Sequence, residues 1–116
     1  QPFRIAVLGA MLELGPDEKD LHVGIGRYAL EGGVDALLTV GSASDASLDA
    51  LAGAMADGAS LAGDASHVDW VHDIDEADRL VTRLAVEHPG AVVLLKGSHA
   101  SGLSALAERW QALAAQ

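Results

Sequence analysis

Residues 4–16 read Arg-Ile-Ala-Val-Leu-Gly-Ala-Met-Leu-Glu-Leu-Gly-Pro, and an acidic helix start follows at Asp17. An uninterrupted apolar run such as residues 4–8 is typical of a strand that is covered on both faces. A buried strand that turns through glycine onto a helix amino end brings backbone N–H groups to a place where a ligand can bind. We therefore expect the ligand-binding surface of the protein at this loop, in which Glu13 is the most distinctive polar residue.

The composition fits one α/β domain. The chain has 116 residues, of which 50% are hydrophobic and only 3% are aromatic, so Val, Leu, Ile and Ala must build the core. A chain of this length forms one core, and folding hides roughly two thirds of its accessible surface. We therefore expect a single domain over residues 1–116.

Charge and cysteine content exclude several kinds of partner. The formal charge of −10 repels phosphate backbones and anionic lipid, so neither nucleic acid nor a membrane surface is expected as a partner. The absence of cysteine excludes disulfides and thiol chemistry and suits the cytosol. The longest apolar run, residues 91–95, is too short to span a membrane. Because a strand begins almost at Gln1, where a reading frame usually begins with methionine, we expect a fragment of a longer protein.

Strand and helix patterns alternate along the chain. Apolar runs closed by glycine predict strands, whereas apolar residues at three- and four-residue steps predict helices. This alternation implies a three-layer α/β/α fold with a mainly parallel, Rossmann-like sheet of four strands and right-handed crossovers. The predicted strands span residues 4–8, 34–40, 67–71 and 91–95, and the predicted helices span about residues 17–31, 45–56, 73–87 and 102–113.

Local signals add detail to the helices. Ser42 or Ser44 is expected to cap the second helix, and Asp73 with Glu76 three residues later resembles a capping box for the third. The poor signal over residues 59–66 predicts a loop. The buried stripe of the first helix is predicted to consist of Leu21, Ile25, Tyr28 and Ala29.

Lys96 follows five apolar residues at the predicted end of the fourth strand. Open α/β sheets bind ligands at the carboxyl ends of their strands, and the small residues Gly97 and Ser98 leave room for an anion. Lys96 is thus a candidate for holding a carboxylate or a phosphate. The alternative is that Lys96 only stands where the buried strand reaches the surface, with its ammonium group in water.

Histidines and glycines offer weaker signals. His22 lies four residues after Glu18 in the first helix, where a solvated or capping role is the common one and ligand binding is the alternative. His67 and His72 flank the third strand but match no standard spacing of metal ligands, so no metal site is expected. The fingerprint Gly-x-Gly-x-x-Ala at residues 24–29 lies inside a predicted helix, so it favours close packing of that helix on the sheet over nucleotide binding.

Four segments together resemble the carboxy-terminal domain of the Mur ligases, and the likeness is strongest to the type that adds D-alanyl-D-alanine. The resemblance extends over nearly the whole chain, and the motifs are together fairly specific. The segments are residues 7–15 (Val-Leu-Gly-Ala-Met-Leu-Glu-Leu-Gly), Leu21-His22 with Gly26, residues 39–41 (Thr-Val-Gly) and residues 93–98 (Val-Leu-Leu-Lys-Gly-Ser).

The resemblance implies part of an ATP- and Mg²⁺-dependent ligase of peptidoglycan synthesis, which joins D-Ala-D-Ala to UDP-MurNAc-tripeptide through an acyl phosphate. It also implies that ATP and the uridine nucleotide are bound by a central and an amino-terminal domain that this chain lacks, so the fragment should be inactive alone. The carboxy-terminal domain of such enzymes closes onto the central domain and contacts the incoming substrate. No catalytic residue is implied here. The residues implied to contact substrate are Met11, Glu13, Leu14, Lys96, Ser98 and His99, with His22 as a further candidate.

Two positions depart from the family pattern. Ala10 stands where aspartate is usual, and His99 stands where arginine is common, so both changes remove a charge from the implied cleft. The implied strand order, 4-1-2-3, places both motif loops where the strand order reverses. A strand that the family places before the first would pair with the fourth, so we expect the edge at residues 91–95 to be exposed and able to pair with another copy.

Two other interpretations use the same residues. A free-standing doubly wound domain could hold a small anion or a nucleotide at these loops. A response-regulator-like domain would use Lys96, but that fold needs an acidic cluster after the first strand, where Gly9 and Ala10 stand. The residues therefore favour the ligase domain first and the binding module second.

Overall fold

The computed structural model describes residues 2–11, 15–62, 67–97 and 103–114. Strands and helices alternate along these ranges, as predicted. The strands are β1 (Arg4–Gly9), β2 (Ala36–Val40), β3 (His67–Val71) and β4 (Val92–Lys96). The helices are α1 (Glu18–Glu31), α2 (Ala46–Ala62), α3 (Ile74–Glu87) and α4 (Leu103–Ala114).

The four strands form one parallel sheet in the order β3-β2-β1-β4. This order is the predicted one, and it confirms the predicted α/β fold. The chain moves outward from β1 through β2 to β3 and then returns to add β4 on the other side of β1. The loops after β1 and β4 therefore leave neighbouring strands at the point where the strand order reverses, which is where open sheets bind ligands.

Helices cover both faces of the sheet and form two apolar clusters with it. On one face, Ile5 and Val7 of β1 pack with buried residues of α3 and α4. On the other face, Ala6 and Leu8 pack with buried residues of α1 and α2. Successive residues of β1 thus point into different cores, which explains why the strand is apolar without interruption.

The buried face of α1 differs from the predicted stripe. Its buried residues are His22, Gly26 and Leu30, whereas Leu21 is 46% and Tyr28 is 79% exposed. The prediction is confirmed for Ile25 and Ala29, which pack against the cluster under α1 and α2, and it was wrong for Leu21 and Tyr28 because it followed apolar side chains alone. The helix instead packs on its neighbours through Gly26, which touches another backbone, and through His22, which is hydrogen-bonded in the interior.

Two glycines bring α1 and α2 into backbone contact. A Cβ added to Gly26 would overlap the carbonyl oxygen of Met55 in α2, and a Cβ added to Gly58 would overlap the carbonyl oxygen of Val23 in α1. Only glycine permits such an approach. The glycine pattern at residues 24–29 therefore serves close packing, as predicted, but the partner is α2 and not the sheet.

α2 differs from its prediction at both ends. It continues to Ala62, past the predicted end at Ala56, because Gly58 is packed against α1 and does not break the helix. At its start, Asp45 Oδ1 accepts the main-chain N–H of Ser47 at 3.0 Å and of Leu48 at 3.2 Å. Asp45 therefore caps the helix, and the predicted serine cap was wrong.

Polar contacts hold α3 and α4 in place. The predicted capping box is confirmed in its first half, since Asp73 Oδ1 accepts the N–H of Glu76 at 2.8 Å. Asp78 of α3 accepts Nε1–H of Trp110 at 2.8 Å and Nη1–H of Arg109 at 2.9 Å, both from α4. The bond from the indole is the largest cause of a lowered pKa at Asp78. The carboxylate therefore ties the two helices together.

The outermost strand, β4, is covered on one face only. Val93 and Leu95 pack against the cluster formed with α3 and α4. Val92 and Leu94 point to the other face and are 53% and 52% exposed, because α1 and α2 lie over the other strands. The expected exposure of this edge therefore holds for the part of the chain that the structure describes. No helix within that part has the length and apolar character needed to cross a membrane.

Candidate functional site

The carboxyl ends of β1 and β4 bring two predicted site segments together. The parallel register pairs Leu8 of β1 with Lys96 of β4, so the loops that follow the two strands start side by side. Lys96 points to the same face of the sheet as Leu8, which is the face covered by α1 and α2. Met11 and Lys96 therefore lie at the same edge of the molecule.

The loop that leaves β1 is fastened to both helices of this face. Ala10 is 1% exposed and packs against Leu48 and Leu51 of α2. The main-chain N–H of Met11 donates to Nε2 of His22 in α1 at 3.0 Å. The chain is thus fixed as far as Met11.

The position of Ala10 corrects one expectation from the sequence. We expected this residue to border an open cleft from which an aspartate charge had been lost. Its side chain instead belongs to a small apolar cluster with Leu48 and Leu51. Ala10 therefore helps to pack the loop on α2.

His22 is completely buried and bonded to main-chain atoms of Met11 and Glu18, so the solvated or capping role that we expected to be commoner was wrong. Its Nδ1 lies 2.6 Å from the main-chain oxygen of Glu18. Because the N–H of Met11 can only donate, Nε2 must accept, and the ring proton therefore lies on Nδ1 and is donated to Glu18. One neutral tautomer satisfies both contacts. Neither ring nitrogen is left for a ligand.

Lys96 is exposed, and none of the ion pairs among the described residues involves it. An ammonium group at a strand end can bind a carboxylate or a phosphate through a charge-assisted hydrogen bond.

Two cavities bear on the position of the site. A groove of about 500 Å³ follows the outer face of α3 and contains none of the predicted site residues. The cavity at the end of β4 has a volume of about 200 Å³ and is lined by Leu95, Gly97, Leu103, Ser104 and Ala107.

Four of the predicted site residues, Glu13, Leu14, Ser98 and His99, lie outside the described residues. On the far side of residues 12–14, the carbonyl oxygen of Gly15 accepts the main-chain N–H of Glu18 at 3.2 Å. The described residues on both sides of this segment are therefore tied to the first turn of α1.

A second polar pair lies beyond the ends of β2 and β3, at the same edge of the sheet. Nδ1 of His72 is 2.7 Å from Oδ1 of Asp49, and the same oxygen accepts the N–H of Ser42 at 3.1 Å. The hydrogen bond to Asp49 is the largest cause of a raised pKa at His72. Sequence reasoning missed this pair because its members come from different elements. Within the described ranges, no group of three or more His, Cys, Asp or Glu side chains could hold a metal ion.

The fold is an open α/β domain in which β1 and β4 end side by side where the strand order reverses, the edge at which such sheets usually bind ligands. The model of the family described as "Mur ligase, glutamate ligase domain" matches residues 1–99. The chain belongs to the Mur ligase family.

Particular relatives narrow the comparison. The UDP-N-acetylmuramoyl-tripeptide–D-alanyl-D-alanine ligase of Mycobacterium leprae is 40% identical over 103 residues, which are 89% of this chain and 19% of that protein. The ligase of the same name from Mycobacterium tuberculosis H37Rv is 37% identical over 107 residues, with 89% of this chain and 21% of that protein covered. The chain thus spans about one fifth of the length of these relatives.

The fold also matches a solved structure. MurF from Acinetobacter baumannii superposes with a TM-score of 0.71 over 94% of this chain and 22% of that chain, at 23% identity. At this level of identity the likeness concerns the fold. It agrees with the family assignment and with the strand order.

Proposed function

We propose that this chain is the substrate-binding domain of a cytoplasmic peptidoglycan-precursor ligase, which adds D-Ala-D-Ala to UDP-MurNAc-tripeptide through an acyl phosphate. The proposal is supported by relatives of that name that are 40% and 37% identical over 89% of the chain. Because those relatives are much longer, this chain would supply one domain of the enzyme. Alone it would not ligate.

The observation that carries the proposal is the register that sets Lys96 beside the exit of β1. In a chain of formal charge −10, an exposed ammonium group at the carboxyl edge of the sheet is a suitable site for a substrate carboxylate. We assign Lys96 to the carboxylate of the incoming dipeptide. The remaining proposed contacts are Met11, Glu13, Leu14, Ser98 and His99.

ATP and Mg²⁺ would be bound mainly by another domain of the enzyme. The described ranges offer no cluster of His, Cys, Asp or Glu that could hold a metal, and Gly26 faces the backbone of α2 and not a phosphate. The described residues therefore offer no metal site, and the glycine pattern of α1 does not form a phosphate-binding loop. The role of this chain is to bind and orient the incoming dipeptide when the domains close.

The test is kinetic and uses the intact ligase that contains this chain. Lys96→Met should lower kcat/KM for D-Ala-D-Ala by roughly ten- to hundredfold, since a hydrogen bond to a charged group is worth about 1.5–3 kcal/mol, while KM for ATP stays unchanged. The matched control is Arg27→Met, which removes a cation from an exposed pair with Glu31 in α1 and should change neither parameter. Unchanged dipeptide kinetics in Lys96→Met would remove Lys96 from the site.

The alternative is a free-standing domain that holds a small anion or a nucleotide at the same loops. The exposed ammonium group of Lys96 at the end of β4 suits that function equally well. The genomic reading frame ahead of Gln1 distinguishes the ligase domain from the free-standing binding domain. A phosphate loop and a uridine-nucleotide domain encoded there support the ligase, whereas a frame that starts at this point supports the binding module.

We also propose that isolated copies of this chain pair through the edge of β4. The half-exposed side chains of Val92 and Leu94 belong to a strand whose outer edge pairs with no other described strand, and this combination favours strand pairing. Sedimentation equilibrium should show a dimer that Leu94→Lys dissociates. Leu61→Lys, at another exposed leucine (80% exposed), should leave the dimer intact. A wild-type chain that stays monomeric contradicts the proposal.

A further inference from the structure

We propose that His22 is a positioning residue of the substrate edge, which acts by fixing the main chain at the exit of β1. This inference rests on the function proposed above. Sequence reasoning treated His22 as a candidate ligand, but the imidazole is 0% exposed and has no surface for a substrate. Any influence of this residue on the reaction must therefore pass through the groups that it holds.

The ring of His22 connects the loop to the helix. Nε2 accepts the N–H of Met11 at 3.0 Å, and Nδ1 lies 2.6 Å from the oxygen of Glu18. Glu18 also donates its own N–H to the oxygen of Gly15 at 3.2 Å. The first turn of α1 thus holds the chain at Met11 and again at Gly15, through a histidine side chain in one case and the helix backbone in the other.

The anchor is rigid because α1 itself cannot slide. Gly26, one turn beyond His22, touches the backbone of Met55 in α2, so a shift of α1 along its axis would bring main-chain atoms into collision. Ala10 is held on α2 at the same time. The exit of β1 is therefore located relative to both helices before the chain reaches Met11.

The same anchor sets the distance between the loop and the proposed dipeptide contact. Lys96 is the register partner of Leu8. Leu8 precedes Met11 by three residues in the chain. Loss of the hydrogen bond to Met11 would release the loop beside Lys96 while leaving Lys96 itself in the sheet. Because small misplacements of a positioning group reduce rates strongly, the effect should appear in the kinetics of the incoming dipeptide.

Two variants of the intact ligase test this role. His22→Leu removes both ring nitrogens and should lower kcat/KM for D-Ala-D-Ala by about tenfold or more, with KM for ATP changed by less than about twofold. His22→Gln keeps a side-chain oxygen that can accept the N–H of Met11 and should recover most of the loss. The matched control is His88→Leu, at a histidine stacked on Phe3 at the amino end of the sheet, and it should leave the dipeptide kinetics unchanged.

Hydrogen exchange gives a readout that does not depend on activity. In His22→Leu, the amide of Met11 should exchange at least tenfold faster than in the wild type, whereas amides of β2 should not change. Unaltered exchange at Met11 overturns the proposal, as does an equal loss for ATP and dipeptide in both variants. If the wild-type protein ligates no dipeptide, the proposed function fails, and the exchange measurement still decides whether His22 fixes Met11.

Discussion

Gly26→Ala and Gly24→Ala form a matched pair that tests how α1 is seated on α2. The two glycines lie two positions apart in one helix. A Cβ on Gly26 would overlap the carbonyl oxygen of Met55 and lie 2.7 Å from its carbonyl carbon and 3.0 Å from its Cα, whereas a Cβ on Gly24 would meet nothing within 4 Å. The obstacle at Gly26 is main chain, so no change of rotamer relieves it. The two helices would have to move apart.

The expected energies have opposite signs. Replacing glycine by alanine inside a helix gains about 1 kcal/mol of helix propensity, and Gly24→Ala keeps this gain in full. Gly26→Ala gains the same amount but forces a backbone shift in a packed core, which costs about 3 kcal/mol. We therefore expect Gly24→Ala to stabilise the domain by about 1 kcal/mol and Gly26→Ala to destabilise it by about 2 kcal/mol. For a chain of this size, these values correspond to a rise in Tm of about 4 °C and a fall of about 8 °C.

Thermal and urea unfolding, followed by circular dichroism, measure both variants against the wild type. A Gly26→Ala protein as stable as the wild type would refute the backbone contact between α1 and α2. A Gly24→Ala protein that loses stability would refute the assignment of open space at that position. Agreement between the two unfolding methods ensures that one cooperative transition is being compared.

Three other outcomes can be measured on the same chain. Thr39→Val should raise the free energy of unfolding by about 1 kcal/mol, because the buried Thr39 hydroxyl has no hydrogen-bond partner among the described residues; urea unfolding measures this, and a loss of stability contradicts it. The hydrogen bond to Asp49 raises the pKa of His72 above its ordinary value of 6.5. The pair therefore stabilises the fold fully at pH values below 6.5, and this stabilisation is lost as the pH rises through the folded-state pKa of His72. An NMR titration of His72 in Asp49→Asn should show this pKa returning toward the ordinary value, and an unchanged titration argues against the pairing. Asp78→Ala should cost about 2 kcal/mol in urea unfolding, since the indole and guanidinium donors of α4 lose their shared acceptor, whereas Asp75→Ala at a more exposed pair should cost less than about 0.5 kcal/mol.

The alternation of strands and helices was predictable because it depends on features that are local in the sequence. Each apolar run is closed by glycine or by a turn, so the alternation of strands and helices can be recognised without tertiary information. The strand order is not a local property, and the order β3-β2-β1-β4 was expected only because the family resemblance implies it. That order makes β1 and β4 neighbours, but the register that pairs Leu8 with Lys96 is known only from the structure.

The seating of α1 could not be predicted in the same way. A stripe of Leu21 and Tyr28 is more apolar than one of His22 and Gly26, so a pattern of hydrophobicity selects the wrong face. The glycine is buried because another backbone passes close to it, and the histidine is buried because both of its nitrogens find main-chain partners. Neither condition is visible until α2 and the loop after β1 are in place.

The helix caps show the same limit on a smaller scale. Asp73 and Glu76 lie three residues apart, and the bond between them was predictable from that spacing. The cap of α2 offered several neighbouring candidates, and Asp45 was selected over the serines by the path of the preceding loop. The pair of Asp49 and His72 depends on β2 and β3 being adjacent, so no local pattern indicates it.

The exposed face of β4 limits how a further strand can join the sheet. Any parallel strand that docks alongside β4 and then runs into Arg4 must make a right-handed crossover, and its connecting segment must pass over Val92 and Leu94. The carboxyl end of that added strand would emerge next to Lys96, so its first turn would form a third wall of the substrate edge. Parallel pairing therefore brings the end of the added strand to the edge where the substrate is proposed to bind.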